Sequence, residues 1–251
     1  MTHIALITGG SRGIGRSIAL HLADRGVDAI ITYVRNEKEA ADVVAAIVEK
    51  GRKAVALPLD VGRSATFGAF ADQVRAALQT GWGRTHFDYL VNNAGVAGHA
   101  SFADTTEEQF DELCRVHLKG TFFITQKLLP LLADGGRILN LSTGLTRFSF
   151  PGYAAYAAMK GGIEVLTRYM AKELAGRKIT ANVLAPGAIA TDFGGGAVRD
   201  NPQMNQMIAS MTALGRVGEA EDIGRAAAAM LSSDAGWMTG QRVEFSGGTL
   251  L

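Results

Sequence analysis

Short apolar runs rich in β-branched residues alternate with amphipathic or alanine-rich stretches along the whole chain. The runs Ile4 to Ile7, Ala29 to Tyr33, Ala54 to Leu57, Tyr89 to Val91, Ile138 to Leu141, Ala181 to Leu184 and Val243 to Phe245 have the length and composition of buried strands. Helical stretches begin between them, near Gly13, Lys38, Ala65, Thr106, Tyr153 and Ala220, and the spacing of Ile14, Ile18 and Leu22 shows the period. Strands that stay apolar throughout are covered on both faces, and strict alternation with helices requires right-handed crossovers. The pattern therefore predicts a doubly wound α/β fold built on a parallel sheet, with no internal repeat. Ligands in such sheets bind beyond the carboxyl ends of the strands, so the residues that follow each strand carry the functional signal.

Composition narrows the picture. With 251 residues, 47% of them hydrophobic, and only five prolines, one domain spanning residues 1–251 is expected. Lys plus Arg number 25 against 24 for Asp plus Glu, which gives no electrostatic case for nucleic acid or an anionic membrane. Cys114 is the only cysteine, so no internal disulfide forms, and no metal site is expected. No apolar stretch reaches the ~20 residues of a membrane span, and Met1 to Thr8 shows neither basic leader nor cleavage pattern. The reading is cytoplasmic, with a small-molecule partner.

The first candidate site follows the first strand. In Thr8-Gly9-Gly10-Ser11-Arg12-Gly13-Ile14-Gly15, glycines let the backbone turn tightly and approach a pyrophosphate, while the helix N-terminus that follows offers unpaired N–H groups to the anion. Gly9, Ser11, Arg12, Gly13, Ile14 and Gly15 are therefore candidate dinucleotide contacts. After the third strand, Asp60-Val61 can meet an adenine amino group, or Asp60 can start a loop or cap a helix near Ser64. After the fourth, Asn92-Asn93-Ala94-Gly95 suits a chain passing close to a ribose, with Asn92, Ala94 and Gly95 as candidates. After the sixth, Pro186, Gly187, Ile189 and Thr191 form a rigid turn able to hold a carboxamide. Tyr156 and Lys160 lie one helical turn apart, so the ammonium can approach the phenol, favour the phenolate and move its pKa toward useful acid/base work.

In this order and spacing, Thr8 to Gly15, Asn92 to Gly95, Tyr156 with Lys160, and Pro186 to Thr191 resemble the single-domain short-chain dehydrogenase/reductase family, and the overall look is similar to its 3-oxoacyl-carrier-protein reductase type. The resemblance runs over effectively the whole chain. It implies a Rossmann-type sheet of seven strands, NAD(H) or NADP(H), reversible reduction of a ketone to a secondary alcohol, and a homotetramer, with a homodimer as the smaller assembly. Tyr156 matches the family's acid/base and Lys160 its partner, which also holds the nicotinamide ribose.

Two positions depart from the family pattern. The carbonyl-orienting Ser is expected 13 residues before Tyr156, where this chain has Thr143 beside Ser142; adjacent strand residues face opposite ways, and Thr143 is favoured. Where the family typically has an Asn holding a relay water, this chain has His117 in Val116-His117-Leu118-Lys119-Gly120. Imidazole titrates near neutrality, so an acid limb of activity near pH 6 to 7 is expected from a relay role, the alternative being a structural His bonded to a backbone carbonyl.

No acid follows the second strand until Glu37, whereas Arg12 and Arg35 can clamp a 2′-phosphate, so NADP(H) is favoured over NAD(H). Residues 192–215 combine Gly194-Gly195-Gly196 with Met204, Met207 and Met211, the pattern of a hinged substrate lid or of a core-facing helix. The helices of 106–132 and 153–175 carry Phe110, Leu113, Phe122, Phe123, Leu128, Leu166, Tyr169 and Met170, more apolar surface than one sheet face covers, which predicts a symmetric interface; the Gly247 to Leu251 tail is expected at a second. A dinucleotide sensor or scaffold on the same fold, without turnover, is the alternative function.

Overall fold

A computed structural model of the chain describes residues 2–251. Seven strands, β1 (Ile4–Ile7), β2 (Asp28–Tyr33), β3 (Ala54–Pro58), β4 (Phe87–Asn92), β5 (Leu132–Leu141), β6 (Thr180–Pro186) and β7 (Arg242–Phe245), form one sheet in the order β3-β2-β1-β4-β5-β6-β7. Every pairing is parallel. The helices are α1 (Gly13–Ala23), α2 (Glu37–Glu49), α3 (Phe67–Trp82), α4 (Glu107–Leu113), α5 (Gly120–Leu128), α6 (Ala154–Glu173), α7 (Ala197–Asp200), α8 (Pro202–Ser210) and α9 (Ala220–Met230). This is the doubly wound Rossmann-type architecture, and among the described residues no helix is long and apolar enough to cross a membrane.

Two apolar layers hold it together. Ile18 and Leu22 of α1, Val43 and Ile47 of α2 and Ile223 of α9 cover one sheet face; Phe67, Val74 and Leu78 of α3 with Ile124 and Leu128 of α5 cover the other. Truncating a side chain as fully buried as Phe67 to Ala would cost about 3–5 kcal/mol. The strand order reverses at β1, whose neighbours are β2 and β4, and the crevice beyond that point receives the glycine turn and the segment after β4.

Local structure differs from the sequence expectation in three places. β5 starts at Leu132, because the chain passes through Gly135 at φ 76° with a register shift against Phe87 and Tyr89 and still pairs. α4 is launched by a capping box, with Gln109 N donating to Thr106 Oγ1 and Thr106 N to Gln109 Oε1, but it runs into a π-helical turn, Cys114–Lys119, before α5. Such a turn inserts a residue and shifts which side chains face inward; here Val116 and His117 are buried. Residues 192–215 contain two short helices, α7 and α8, after three consecutive glycines at φ 65°, 72° and 79°.

Candidate active site

One cleft of about 1150 Å³ opens beyond the carboxyl edge of the sheet. Pockets for a single small ligand run to ~300–1,000 Å³, so this one has room for a dinucleotide and a second molecule. Gly9, Ser11, Arg12, Gly13, Ile14 and Gly15 line it together, as the sequence pattern requires. Gly13 takes φ 52°, and a Cβ on Gly15 would overlap the Gly9 carbonyl oxygen and crowd Asn93 Nδ2 at 2.5 Å. Arg12, the N-cap of α1, makes no side-chain cap bond, which leaves the first-turn N–H groups facing the cleft. This cradle fits a pyrophosphate.

The turn is clamped by residues that sequence reasoning passed over. Thr8 Oγ1 accepts from Asn93 N and Ala94 N, both at 3.0 Å, and Asn93 Nδ2 donates to the carbonyls of Thr8 (2.9 Å) and Gly9 (3.0 Å). Asn93, Ala94 and Gly95 line the cleft. Asn92, expected at the ribose, instead points into the protein: its Nδ2 donates to Asn140 Oδ1 at 2.8 Å and Thr125 Oγ1 at 2.9 Å. Strand parity explains the correction, since Asn92 is the last residue of β4, in register with Asn140 of β5. The two adjacent asparagines therefore face opposite ways.

At the adenosine end, Arg12, Arg35, Asp60 and Val61 line the cleft with Arg63, which the sequence did not single out, and with Glu39 as the one acid beside α2. Asp60 Oδ1 accepts from Gly62 N at 2.8 Å, the loop-starting alternative for this residue. At the far end lie Pro186, Gly187, Ile189 and Thr191. Phe245 O fixes Gly187 N at 3.0 Å, and Thr191 Oγ1 accepts from Phe193 N at 3.3 Å.

Tyr156 and Lys160 project from the first turns of α6 onto the cleft floor, both buried. Lys160 Nζ donates to Leu141 O at 2.7 Å and lies 5.8 Å from the centre of the Tyr156 ring. Burial raises the Tyr156 pKa, with Tyr153 adding to the effect, so the phenol stays protonated. This is opposite to the lowering expected from the Lys160 ammonium; Lys160 is itself desolvated and held on the Leu141 carbonyl, its pKa lowered to about 8 by burial.

Ser142 and Thr143 immediately follow β5 and both line the cleft. Ser142 Oγ donates to Glu164 Oε1 at 2.7 Å, an oxygen that also takes Thr146 Oγ1 and Arg242 Nε at 2.7 Å each. Thr143 Oγ1 only accepts, from Leu145 N at 3.3 Å, which leaves its proton available for a ligand. Glu164, an unremarked helix residue in the sequence, is thus the anchor that separates the two hydroxyls.

His117 is buried where it lines the cleft, with its ring edge-on to Tyr156 at 5.1 Å between centroids. Nε2 lies 2.8 Å from Val96 O, so it carries the proton and donates; Nδ1 is then a bare acceptor, buried without a partner. Gly95 makes room, since a Cβ there would stand 2.7 Å from His117 Cε1. Burial first, and the Lys160 charge second, lower its pKa to about 3. The acid limb near pH 6 to 7 is therefore corrected: the imidazole stays neutral throughout that range.

Residues after Thr191 also line the cleft. Phe193 stands 6.1 Å from the Tyr156 ring, and Met204, Met207 and Met211 line the cleft rather than the core. Among the described residues no cluster of His, Cys, Asp or Glu could hold a metal.

Comparison with known proteins agrees with this geometry. The model of the enoyl-(acyl carrier protein) reductase family matches residues 9–249. Tetrahydroxynaphthalene reductase PfmaG of Pestalotiopsis fici is 34% identical, with 98% of this chain and 90% of that protein aligned. Among solved structures, the promiscuous reductase LugOII, which catalyses keto-reduction at C1 during lugdunomycin biosynthesis, is 39% identical over 99% of this chain and 98% of its own, with a TM-score of 0.94. The angucycline C-6 ketoreductase LanV, solved with bound NADP, is 35% identical over 99% and 95% of the two chains, also with a TM-score of 0.94. With a cradle, a buried tyrosine–lysine pair and full-length matches all in one chain, the protein belongs to the short-chain dehydrogenase/reductase family of oxidoreductases.

Proposed function

We propose that the chain reduces a small-molecule ketone to a secondary alcohol with NADPH. The observation that carries this is the buried Tyr156 beside Lys160, where the glycine cradle meets an apolar half-cleft. When bound, the nicotinamide supplies a hydride, two electrons with one hydrogen, to the carbonyl carbon. Tyr156 gives the proton to the oxygen, and Thr143 donates a hydrogen bond that polarises the carbonyl and aligns it. Lys160 positions the ribose and stabilises the tyrosinate left behind. The direct test is loss of NADPH absorbance with a ketone panel; a sensor would bind NADPH and turn over none of them. Residues 192–215 act as the lid over the bound ketone, and a cytoplasmic location goes with this reading.

Preference for NADP(H) rests on Arg12, Arg35 and Arg63, none of which forms an ion pair among the described residues, against Glu39 and Asp60; bound NADP in LanV supports it. Arg35→Asp should lower the NADPH to NADH ratio of kcat/KM by roughly tenfold or more, about 1.4 kcal/mol. Equal kinetics with both cofactors in the unmodified protein would remove the basis for this preference.

His117 takes the relay role through its bare Nδ1, which can hold a water near Lys160. His117→Asn should keep most of the activity and His117→Leu should be much slower. Stability gives a second readout. The folded pKa near 3 lies below the ordinary 6.5, so the unfolded chain binds the extra proton and stability falls as pH drops from 6.5 toward 3. At pH 5 the loss is about 2 kcal/mol, and His117→Asn should flatten that part of the melting-temperature profile.

The homotetramer also belongs to this reading. Phe110, Phe122, Phe123 and Tyr169 are exposed side chains on α4, α5 and α6, and Leu251 is exposed at the tail. Leu113 and Leu128, expected on the same surface, are instead buried in the core and take no part. Phe123→Glu with Tyr169→Glu should shift sedimentation toward smaller species, and a monomer at micromolar concentration in the unmodified protein would contradict the assembly.

A further inference from the structure

Thr143 stands where the sheet stops guiding the chain. Ser142 is still fixed by the main chain of β6, its N–H donating to Leu184 O at 2.8 Å, but β5 ends at Leu141 and the Thr143 carbonyl lies beyond it. Besides the Thr146 N–H at 3.5 Å, two side chains hold that carbonyl. Thr146 Oγ1 donates to it at 3.0 Å from the short turn that follows, and Arg242 Nη2 donates at 3.2 Å from β7, 99 residues away.

Arg242 is itself aimed. Its Nε donates to Glu164 Oε1 at 2.7 Å, its Nη1 to Glu244 Oε2 at 3.0 Å, and its Nη2 to Thr146 Oγ1 at 3.1 Å as well as to the Thr143 carbonyl. All three guanidinium nitrogens are committed, in a planar fork that a lysine cannot reproduce. Glu244 lies two residues along β7 and so on the same face; Arg147 braces both of its oxygens, at 2.9 and 2.8 Å, and Ser246 Oγ donates to it at 2.6 Å. The side chains of Arg242, Glu164 and Glu244 are only 24%, 14% and 16% exposed. Burying ions costs desolvation that an apolar cluster of the same size avoids, so stability alone does not account for the arrangement. None of the three lines the cleft, whereas Thr143 does. Any influence they have on chemistry passes through the segment they hold.

Resting on the ketone-reductase reading, we propose that Arg242 is a positioning residue: aimed by Glu164 and Glu244, it fixes the Thr143 main chain so that the Thr143 hydroxyl, and not that of Ser142, meets the substrate oxygen. The bond to the carbonyl fixes where the Thr143 backbone stands, and the extended conformation there, φ −158° and ψ 155°, sets the direction in which its side chain leaves. A misplacement of about 1 Å in a group that aligns the reacting atoms can cost roughly 10²-fold in rate. A residue outside the cleft therefore has leverage on turnover without touching the substrate.

The test is a double-mutant cycle on the intact protein with NADPH, using whichever of 2-tetralone, cyclohexanone and ethyl acetoacetate the parent reduces fastest. Thr143→Ala should lower kcat about 100-fold. Arg242→Lys, which keeps the charge and loses the fork, should lower kcat about tenfold with KM for NADPH unchanged, and the double variant should be no slower than Thr143→Ala alone. Glu164→Gln, which keeps an acceptor oxygen for Arg242, should recover most of the kcat that Glu164→Ala loses. Effects that multiply in the double variant, or Glu164→Gln no faster than Glu164→Ala, would overturn the inference while ketone reduction stood. Thr143→Ala as fast as the parent would overturn it together with the role of Thr143. Hydrogen exchange gives a readout independent of turnover: residues 142–147 should exchange faster in Arg242→Lys while the rest of the chain is unchanged. If the parent reduced none of the three ketones, the ketone-reductase reading would fall and exchange would decide alone. Faster exchange confined to 142–147 would then support the anchor, and unchanged exchange would overturn it.

Discussion

Tyr156→Phe is expected to lower turnover by about 10²–10⁴-fold, the usual contribution of a positioned proton donor, with NADPH affinity almost unchanged. The ring stays, so its edge contact with His117 and its packing near Phe193 persist, and only the transferable proton goes. Single-turnover kinetics with NADPH and a reducible ketone, beside a fluorescence titration of NADPH, separate the two effects. Retained turnover in the variant would move the proton donor elsewhere.

The second large effect is expected at Lys160. Lys160→Met should lose turnover by a factor approaching that of Tyr156→Phe while folding at least as stably as the parent at pH 7. Burial lowers the lysine pKa from 10.5 to about 8, which corresponds to about 3 kcal/mol of destabilisation by the buried charge. Against this stands the Leu141 carbonyl, left without its donor at a cost of about 1–3 kcal/mol. The pH dependence has a definite sign. Between pH 8 and 10.5 the unfolded chain holds a proton that the folded chain has released, so the parent gains relative stability with rising pH and the penalty is complete only below pH 8. The difference in melting temperature, variant minus parent, should therefore be largest at or below pH 8 and shrink toward pH 10.5. A difference that grows with pH would mean that the ammonium stabilises the fold.

Local pattern determined a great deal here. Alternating apolar runs and helical periods define the seven strands, the main helices and the parallel doubly wound sheet, because both signals depend only on residues a few positions apart. The same holds for Gly9 to Gly15 and for Tyr156 with Lys160, where one turn of backbone brings the groups together. The segments following the strands could also be chosen from sequence, since the fold class sends them all to one edge of the sheet.

Pairing across the sheet and burial were decided only by the tertiary structure. Whether Asn92 or Asn93 faces the cleft depends on the register of β4 against β5, and whether Ser142 or Thr143 keeps a free proton depends on Glu164, more than twenty residues away on α6. The π-helical turn that buries His117 has no periodic signal strong enough to distinguish it from ordinary helix. Most of all, the Tyr156 pKa moves opposite to what a phenol beside an ammonium would do, and burial also lowers those of Lys160 and His117, because desolvation is a property of the packed site and acts through every neighbour at once. Sequence placed the chemical groups; packing set the charge each of them carries.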